Sequence, residues 1–233
     1  MKNIGIYGDS VMKGIILDSE SKRYSVMPPD NAKRLEEKYG LSIDNRSQMG
    51  STLGKVYPRI VYDVEHGVDF DTVLIEYGGN DCDFDWEEIA REPDCEHIPK
   101  TKLCDFKKKL TSLVELFSQN KVQPILMTLP PLHAARFFDW VSRNGASKEN
   151  IVRWLGGDIQ LIYRFQELYS NAVSAVAIKT GAMLIDVRSY FLDRHDYHKL
   201  ICDDGIHPSV EGHKLIGKAF DDALASLAAS HQS

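Results

Sequence analysis

Five residue types that acyl transfer requires stand in this sequence just behind short apolar runs. Gly8-Asp9-Ser10 follows the run at 3–7, and Gly50 sits in Gln48-Met49-Gly50-Ser51. Gly78-Gly79-Asn80-Asp81 follows the run at 72–77, and Asp204-Gly205-Ile206-His207-Pro208 comes past a loop after the run at 182–187. A serine hydroxyl is a weak nucleophile until a base takes its proton. Histidine suits that task because its pKa lies near working pH. A carboxylate on the other ring nitrogen fixes the tautomer and stabilises the imidazolium. Asp204 lies three residues before His207, so one turn can join them. The oxyanion of a tetrahedral intermediate needs preorganised donors. The backbone N–H groups of Ser10 and Gly50 and the side-chain amide of Asn80 can supply three, and glycine at 50 lets backbone approach a substrate closely. Asp9 is placed to brace the turn that presents Ser10.

These groups must be brought together by the elements around them. The pattern predicts strands at 3–7, 41–46, 72–77, 123–129 and 182–187. Helices are predicted at 30–39, from Gly50 to about Val61, from about Leu103 with Thr101 as its cap, at 159–179, and from Pro208-Ser209 to about Ala228. Alternation of strand and helix predicts an α/β fold, a parallel sheet with helices on both faces. Ligands of such sheets bind beyond the carboxyl ends of the strands, which is where all of these groups fall. Each has an ordinary structural explanation alone: a cap, a turn residue, a surface histidine. None of those explanations predicts that they share one edge.

The 233 residues, 43% hydrophobic and 27% charged, suit a single domain, 1–233, with a sizeable core. The net charge of -6 argues against nonspecific nucleic-acid binding. No apolar run reaches the length of a membrane span, and the apolar stretch before Gly8 is too short for a signal peptide. The expected location is therefore cytoplasmic. The expected partner is a small-molecule ester, and homo-oligomerisation stays open. Cys82, Cys95, Cys104 and Cys202 form no C-x-x-C pair and read as free thiols. His195 and His198 have no evident third ligand, so no metal and no cofactor are expected.

Taken together, Gly8-Asp9-Ser10, Gly50, Gly79-Asn80-Asp81 and Asp204-x-x-His207-Pro208 resemble the four blocks of the SGNH hydrolases, the GDSL-type esterases and lipases. Their order and separation fit along nearly the whole chain, with Val11 where the family name has leucine. The resemblance implies Ser10 as nucleophile, His207 as base, Asp204 as its orienter, and Ser10, Gly50 and Asn80 as the oxyanion hole. It implies a flavodoxin-like three-layer α/β/α sandwich with a five-stranded parallel sheet of order 2-1-3-4-5, and no metal. It allows small esters, among them acetylated carbohydrates, and also thioesters and lysophospholipids. A noncatalytic ligand-binding protein on the same fold is the reading from another class.

Other motifs fail on context. Ser10-x-x-Lys13, Tyr169-x-Asn171 and Lys179-Thr180-Gly181 mimic the penicillin-binding set, but the last two fall on one predicted helix and its end. Gly50 to Lys55 is one residue short of a phosphate loop. Asp81, Asp83 and Asp85 suggest a calcium loop but Trp86 occupies the glycine position, so this stretch reads as a solvated acidic loop. Residues 133–157 form an insertion behind the fourth strand and should overhang the site as a lid or pocket wall. Phe137, Phe138, Trp140, Arg143 and Trp154 are its pocket candidates. The aromatics would meet a sugar or acyl chain, or pack on each other, and Arg136, Arg143 and Arg153 would meet an acidic substrate group.

Overall fold

The structure, a computed structural model, describes residues 2–230; the ends of the predicted domain, 1 and 231–233, lie outside them. The first strand, β1 (Asn3–Gly8), turns directly into a small antiparallel hairpin of β2 (Ile15–Leu17) and β3 (Tyr24–Val26). Then follow α1 (Asp30–Tyr39), β4 (Ser42–Asn45), α2 (Leu53–Glu65), β5 (Thr72–Glu76), α3 (Trp86–Arg91), α4 (Leu103–Gln119) and β6 (Gln123–Met127). The second half holds α5 (Ala134–Ser142), α6 (Lys148–Trp154), α7 (Gln160–Thr180), β7 (Met183–Ile185), α8 (Val187–Leu192), a 3₁₀ turn (Tyr197–Leu200) and α9 (Val210–Ser230).

Five strands form one parallel sheet in the order β4-β1-β5-β6-β7. Counting only these strands, the order is 2-1-3-4-5, the doubly wound arrangement with helices on both faces. The buried strands are apolar on both sides, as a covered parallel sheet requires. Along β5, Val73 and Ile75 face α2, α4 and α7 and share a core with Phe106, Leu113 and Phe117. Between them Leu74 faces the other way, into a core with Ile4, Ile6, Ile125 and Phe191. The period-two alternation of side chains thus feeds two cores from one strand.

Thr101 does not cap α4. The cap position is Lys102, and Thr101 is buried, its N–H bonded to the Asp81 carbonyl at 3.0 Å and its carbonyl accepting the Tyr169 hydroxyl. The acidic run is not a solvated loop either. Asp81 is fully buried and accepts from the Leu53 N–H, Asp83 accepts from the Trp86 indole and Lys100, and Asp85 caps α3 through the Glu88 N–H. Each aspartate there terminates or anchors an element. All four cysteines are free, with Cys82 and Cys202 buried.

Candidate active site

Behind β1 the chain makes one helical turn, with the Lys13 N–H on the Asp9 carbonyl and the Ile15 N–H on the Ser10 carbonyl. The Asp9 carboxylate accepts the Val11 N–H at 2.8 Å and so closes the turn around Ser10. The loop entering α9 is organised by Asp204. One of its oxygens accepts the N–H groups of Ile206 and His207 at 3.0 and 3.1 Å. The other lies 2.6 Å from His207 Nδ1. A carboxylate can only accept, so Nδ1 carries the proton and Nε2 is left as an acceptor. Nε2 is 2.9 Å from Ser10 Oγ, so the hydroxyl donates to it. All three side chains are buried: Ser10 is 7%, Asp204 0% and His207 5% exposed. Burial alone would raise the Asp204 carboxyl. The His207 ring and the two amides outweigh it and hold the group below the usual carboxylate range.

Asn80 follows β5. Its Nδ2 donates to Asp9 Oδ2 at 2.9 Å, which leaves its second N–H free to donate. Among the described residues, neither the Ser10 nor the Gly50 backbone N–H donates to a protein acceptor. Gly50 is in the left-handed region, φ 72°, and a side chain there would meet nothing within 4 Å.

Next to Asn80 lies a pair of buried carboxyls, Asp9 and Glu76. Glu76, at the end of β5 and 1% exposed, accepts the Asp9 N–H at 3.2 Å. Burial and the neighbouring Asp9 carboxylate drive the Glu76 carboxyl well above its ordinary value. Burial pushes Asp9 up to about 6, against the bonds from Val11 and Asn80 and the charge of His207. The two buried carboxyls lie in contact, and the charge of Asp9 favours the protonated form of Glu76.

A cavity of about 70 Å³ opens beside Ser10 and His207. Asp9, Glu76 and Asn80 form its polar side, and Phe84, Trp86, Leu132, Phe137 and Phe165 its apolar side.

A family model for GDSL-like lipases and acylhydrolases matches residues 6–215. The chain belongs to that family. Membership places it among enzymes that cleave acyl bonds. No curated protein matches the sequence. Solved structures share the fold at low identity. The lipase/acylhydrolase from Enterococcus faecalis is 20% identical with a TM-score of 0.62, over 94% of this chain and 93% of that one. Axe2, an acetylxylan esterase from Geobacillus stearothermophilus, is 20% identical with a TM-score of 0.61, over 94% and 92%. LAE5, an alpha/beta hydrolase enzyme from the metagenome of Lake Arreo, Spain, is 20% identical with a TM-score of 0.63, over 94% and 93%.

In this GDSL-like hydrolase residues 133–157 are a packed wall. The helices α5 and α6 share a core with Phe84, Trp86 and Ile89. Of the five pocket candidates, Phe137 lines the cavity. Phe138 and Trp154 pack elsewhere: Lys148 lies over the Phe138 ring, and Trp154 meets Phe84 at 5.0 Å. Trp140 and Arg143 stand outside the cavity in a stack. The Arg143 guanidinium is 3.7 Å from the Trp140 ring centroid, Trp140 is 6.1 Å from Tyr24, and Tyr24 is 5.1 Å from His207. The other two arginines are committed. Arg136 donates to the carbonyls of His198 and Ile201 at 2.7 Å, and Arg153 pairs with Asp94.

Sequence reasoning missed Tyr24, Glu76 and Gly205. Tyr24 reaches the site on a three-residue strand with no periodic signal. Burial and the Asp204 carboxylate beside it raise the Tyr24 phenol. Gly205 is where the wall meets the histidine loop. The His133 N–H bonds its carbonyl at 2.7 Å, its φ is +79°, and a Cβ there would sit 2.4 Å from the Phe137 nitrogen. The glycine next to an acid and two residues from a histidine was the available signal. Among the described residues, no cluster of three or more His, Cys, Asp or Glu could hold a metal ion, and no helix is long and apolar enough to cross a membrane.

Proposed function

We propose that the protein is a serine esterase that removes a short acyl group, of acetyl size, through an acyl-enzyme intermediate. The observation that carries this reading is the buried relay Ser10–His207–Asp204, at 2.9 and 2.6 Å. Ser10 Oγ attacks the ester carbonyl carbon while His207 Nε2 takes its proton. The carbonyl oxygen becomes an oxyanion held by the Ser10 and Gly50 N–H groups and the second N–H of Asn80. Collapse breaks the bond to the leaving oxygen, which receives the proton from His207. Water then attacks the acyl-enzyme with His207 as base again, freeing the acid and restoring Ser10. Asp204 keeps Nδ1 protonated and offsets the imidazolium charge throughout.

The acyl size follows from the cavity. About 70 Å³ with aromatic walls suits an acetyl group better than a long chain. A thioesterase or lysophospholipase acting on long chains is disfavoured on that ground. Axe2 supports an acetyl ester of a carbohydrate as the substrate class. It is an acetylxylan esterase, and its catalytic mutants alter a serine and a histidine. Tyr24 and Trp140, edge to face at 71° with Arg143 over the Trp140 ring, give an aromatic surface beside His207 for the alcohol side of such an ester.

A panel of p-nitrophenyl esters of rising chain length, run beside acetylated xylo-oligosaccharides, tests this reading. kcat/KM should peak at acetate and fall at least tenfold by octanoate. A maximum at long chains would overturn the acyl assignment, and no turnover of any ester would overturn the enzyme assignment.

A further inference from the structure

The cavity beside Ser10 is smaller than one on the sheet face. Under α1 and α9 this larger one, of about 500 Å³, crosses the sheet. That size is usual for a small-molecule site. Its floor takes a side chain from every strand of the sheet: Ile43, Ile6, Leu74, Ile125 and Ile185, from β4 across to β7. Leu35 of α1 and Phe220 of α9 roof it. Five strands at the usual inter-strand spacing span roughly 19 Å. An extended hydrocarbon chain, with tetrahedral angles and carbon–carbon bonds of about 1.5 Å, advances about 1.25 Å per carbon, so the trough is as wide as about 15 carbons are long.

One end of the trough differs in chemistry. Lys13 is the single charged side chain in the wall, in a chain whose net charge is -6. It is exposed and has no ion-pair partner among the described residues. Ser47 also lines the trough; it is 7% exposed and its hydroxyl has no hydrogen-bond partner. A buried hydroxyl without a partner is costly unless something else satisfies it. Asn45 ties the two together: its Nδ2 donates to the Met12 carbonyl at 2.8 Å and its Oδ1 accepts the Ser47 N–H at 3.0 Å. The remaining titratable group in the wall, His213, is already bonded to the Ile15 carbonyl. An unpaired cation and an unsatisfied donor at one end of an apolar trough describe an anion with a hydrocarbon tail.

We propose that this trough binds a long-chain carboxylate, its tail across the sheet and its head group between Lys13 and Ser47. Val11 is the one residue that lines both this trough and the cavity beside Ser10, and binding needs no turnover.

The test is calorimetric titration of the whole protein with dodecanoate, dodecan-1-ol and dodecyltrimethylammonium, each below its micelle concentration. Dodecanoate should bind one to one, at least tenfold tighter than the alcohol or the cation. Lys13→Glu should weaken dodecanoate at least tenfold and leave dodecanol unchanged. Ala223→Trp, which fills the trough from α9, should remove binding of both while p-nitrophenyl acetate turnover persists. Ala32→Phe, from α1, should do the same if the first variant does not fold. Absence of saturable binding, or equal affinity for the three ligands with and without Lys13, would overturn the proposal. So would a ligand-free dimer in sedimentation that Ala223→Trp dissociates, because a second copy would then be what covers the trough.

Discussion

The Tyr24 ring stands edge-on to the His207 imidazole, 5.1 Å between centroids with planes 61° apart. It closes the histidine from the side of the hairpin, and behind it stand Trp140 and Arg143. Tyr24 touches His207 with its ring, and its phenol lies beside the Asp204 carboxylate. Tyr24→Ala should lower kcat/KM on acetylated oligosaccharides roughly tenfold, by opening the ring surface, and lower p-nitrophenyl acetate turnover much less. Tyr24→Phe keeps the ring and removes only the hydroxyl beside Asp204, so it should keep the wild-type ratio between the two substrates. Equal losses on both substrates would show that Tyr24 positions His207 instead.

Removing one oxyanion donor gives a sharper signature. Asn80→Ala should reduce kcat on the order of 100- to 1000-fold with KM little changed, because the second N–H is used at the developing charge. Asn80 also holds Asp9. The pH dependence of the residual activity should therefore shift to higher pH as the Asp9 carboxyl loses a donor.

Glu76 and Asp9 provide a pH test of stability. Both carboxyls are raised in the folded protein by burial, so the folded state binds protons more tightly than the unfolded one. The contribution is full below the unfolded carboxylate values, near pH 4, and is lost as pH rises through the folded values. Glu76→Gln reproduces the protonated acid and removes the strongest of these dependences. The melting temperature of Glu76→Gln relative to wild type should rise between pH 5 and pH 9. A difference constant over that range would refute the raised Glu76 carboxyl.

Gly205 joins the aromatic wall to the histidine loop. Gly205→Ala places a methyl group against the Phe137 backbone and strains a left-handed residue. The strained backbone alone costs about 1–3 kcal/mol, and the loop bearing Asp204 and His207 must shift to relieve the clash. Activity should fall more than tenfold together with a lower melting temperature. An unaltered kcat would mean that the loop keeps its place without that contact.

Much of this architecture was legible in the sequence for physical reasons. The central strands β1, β5 and β6 are buried on both faces, so each reads as an apolar run ended by glycine, proline or a polar group. The chemistry clusters behind those runs because a parallel sheet presents one edge to its ligands. Asp204 and His207 are three residues apart, so their contact is local. What stayed hidden depends on partners distant in the chain. Tyr24 and His207 come from opposite ends of the sequence, and β2 and β3 are too short to carry a period. Glu76 reads as a strand residue until Asp9 is seen against it. The aromatic-rich segment at 133–157 has a composition that suits a lid and a wall equally, and only packing against Phe84 and Trp86 separates them.

Covalent labelling of Ser10 tests the central claim most directly. The intact protein, treated with a fluorophosphonate and digested, should carry one adduct, on the peptide containing Ser10. Ser10→Ala should abolish it, and His207→Ala should slow its formation at least 1000-fold in folded protein. Labelling that persists in Ser10→Ala, or that proceeds at the wild-type rate without His207, would contradict the account.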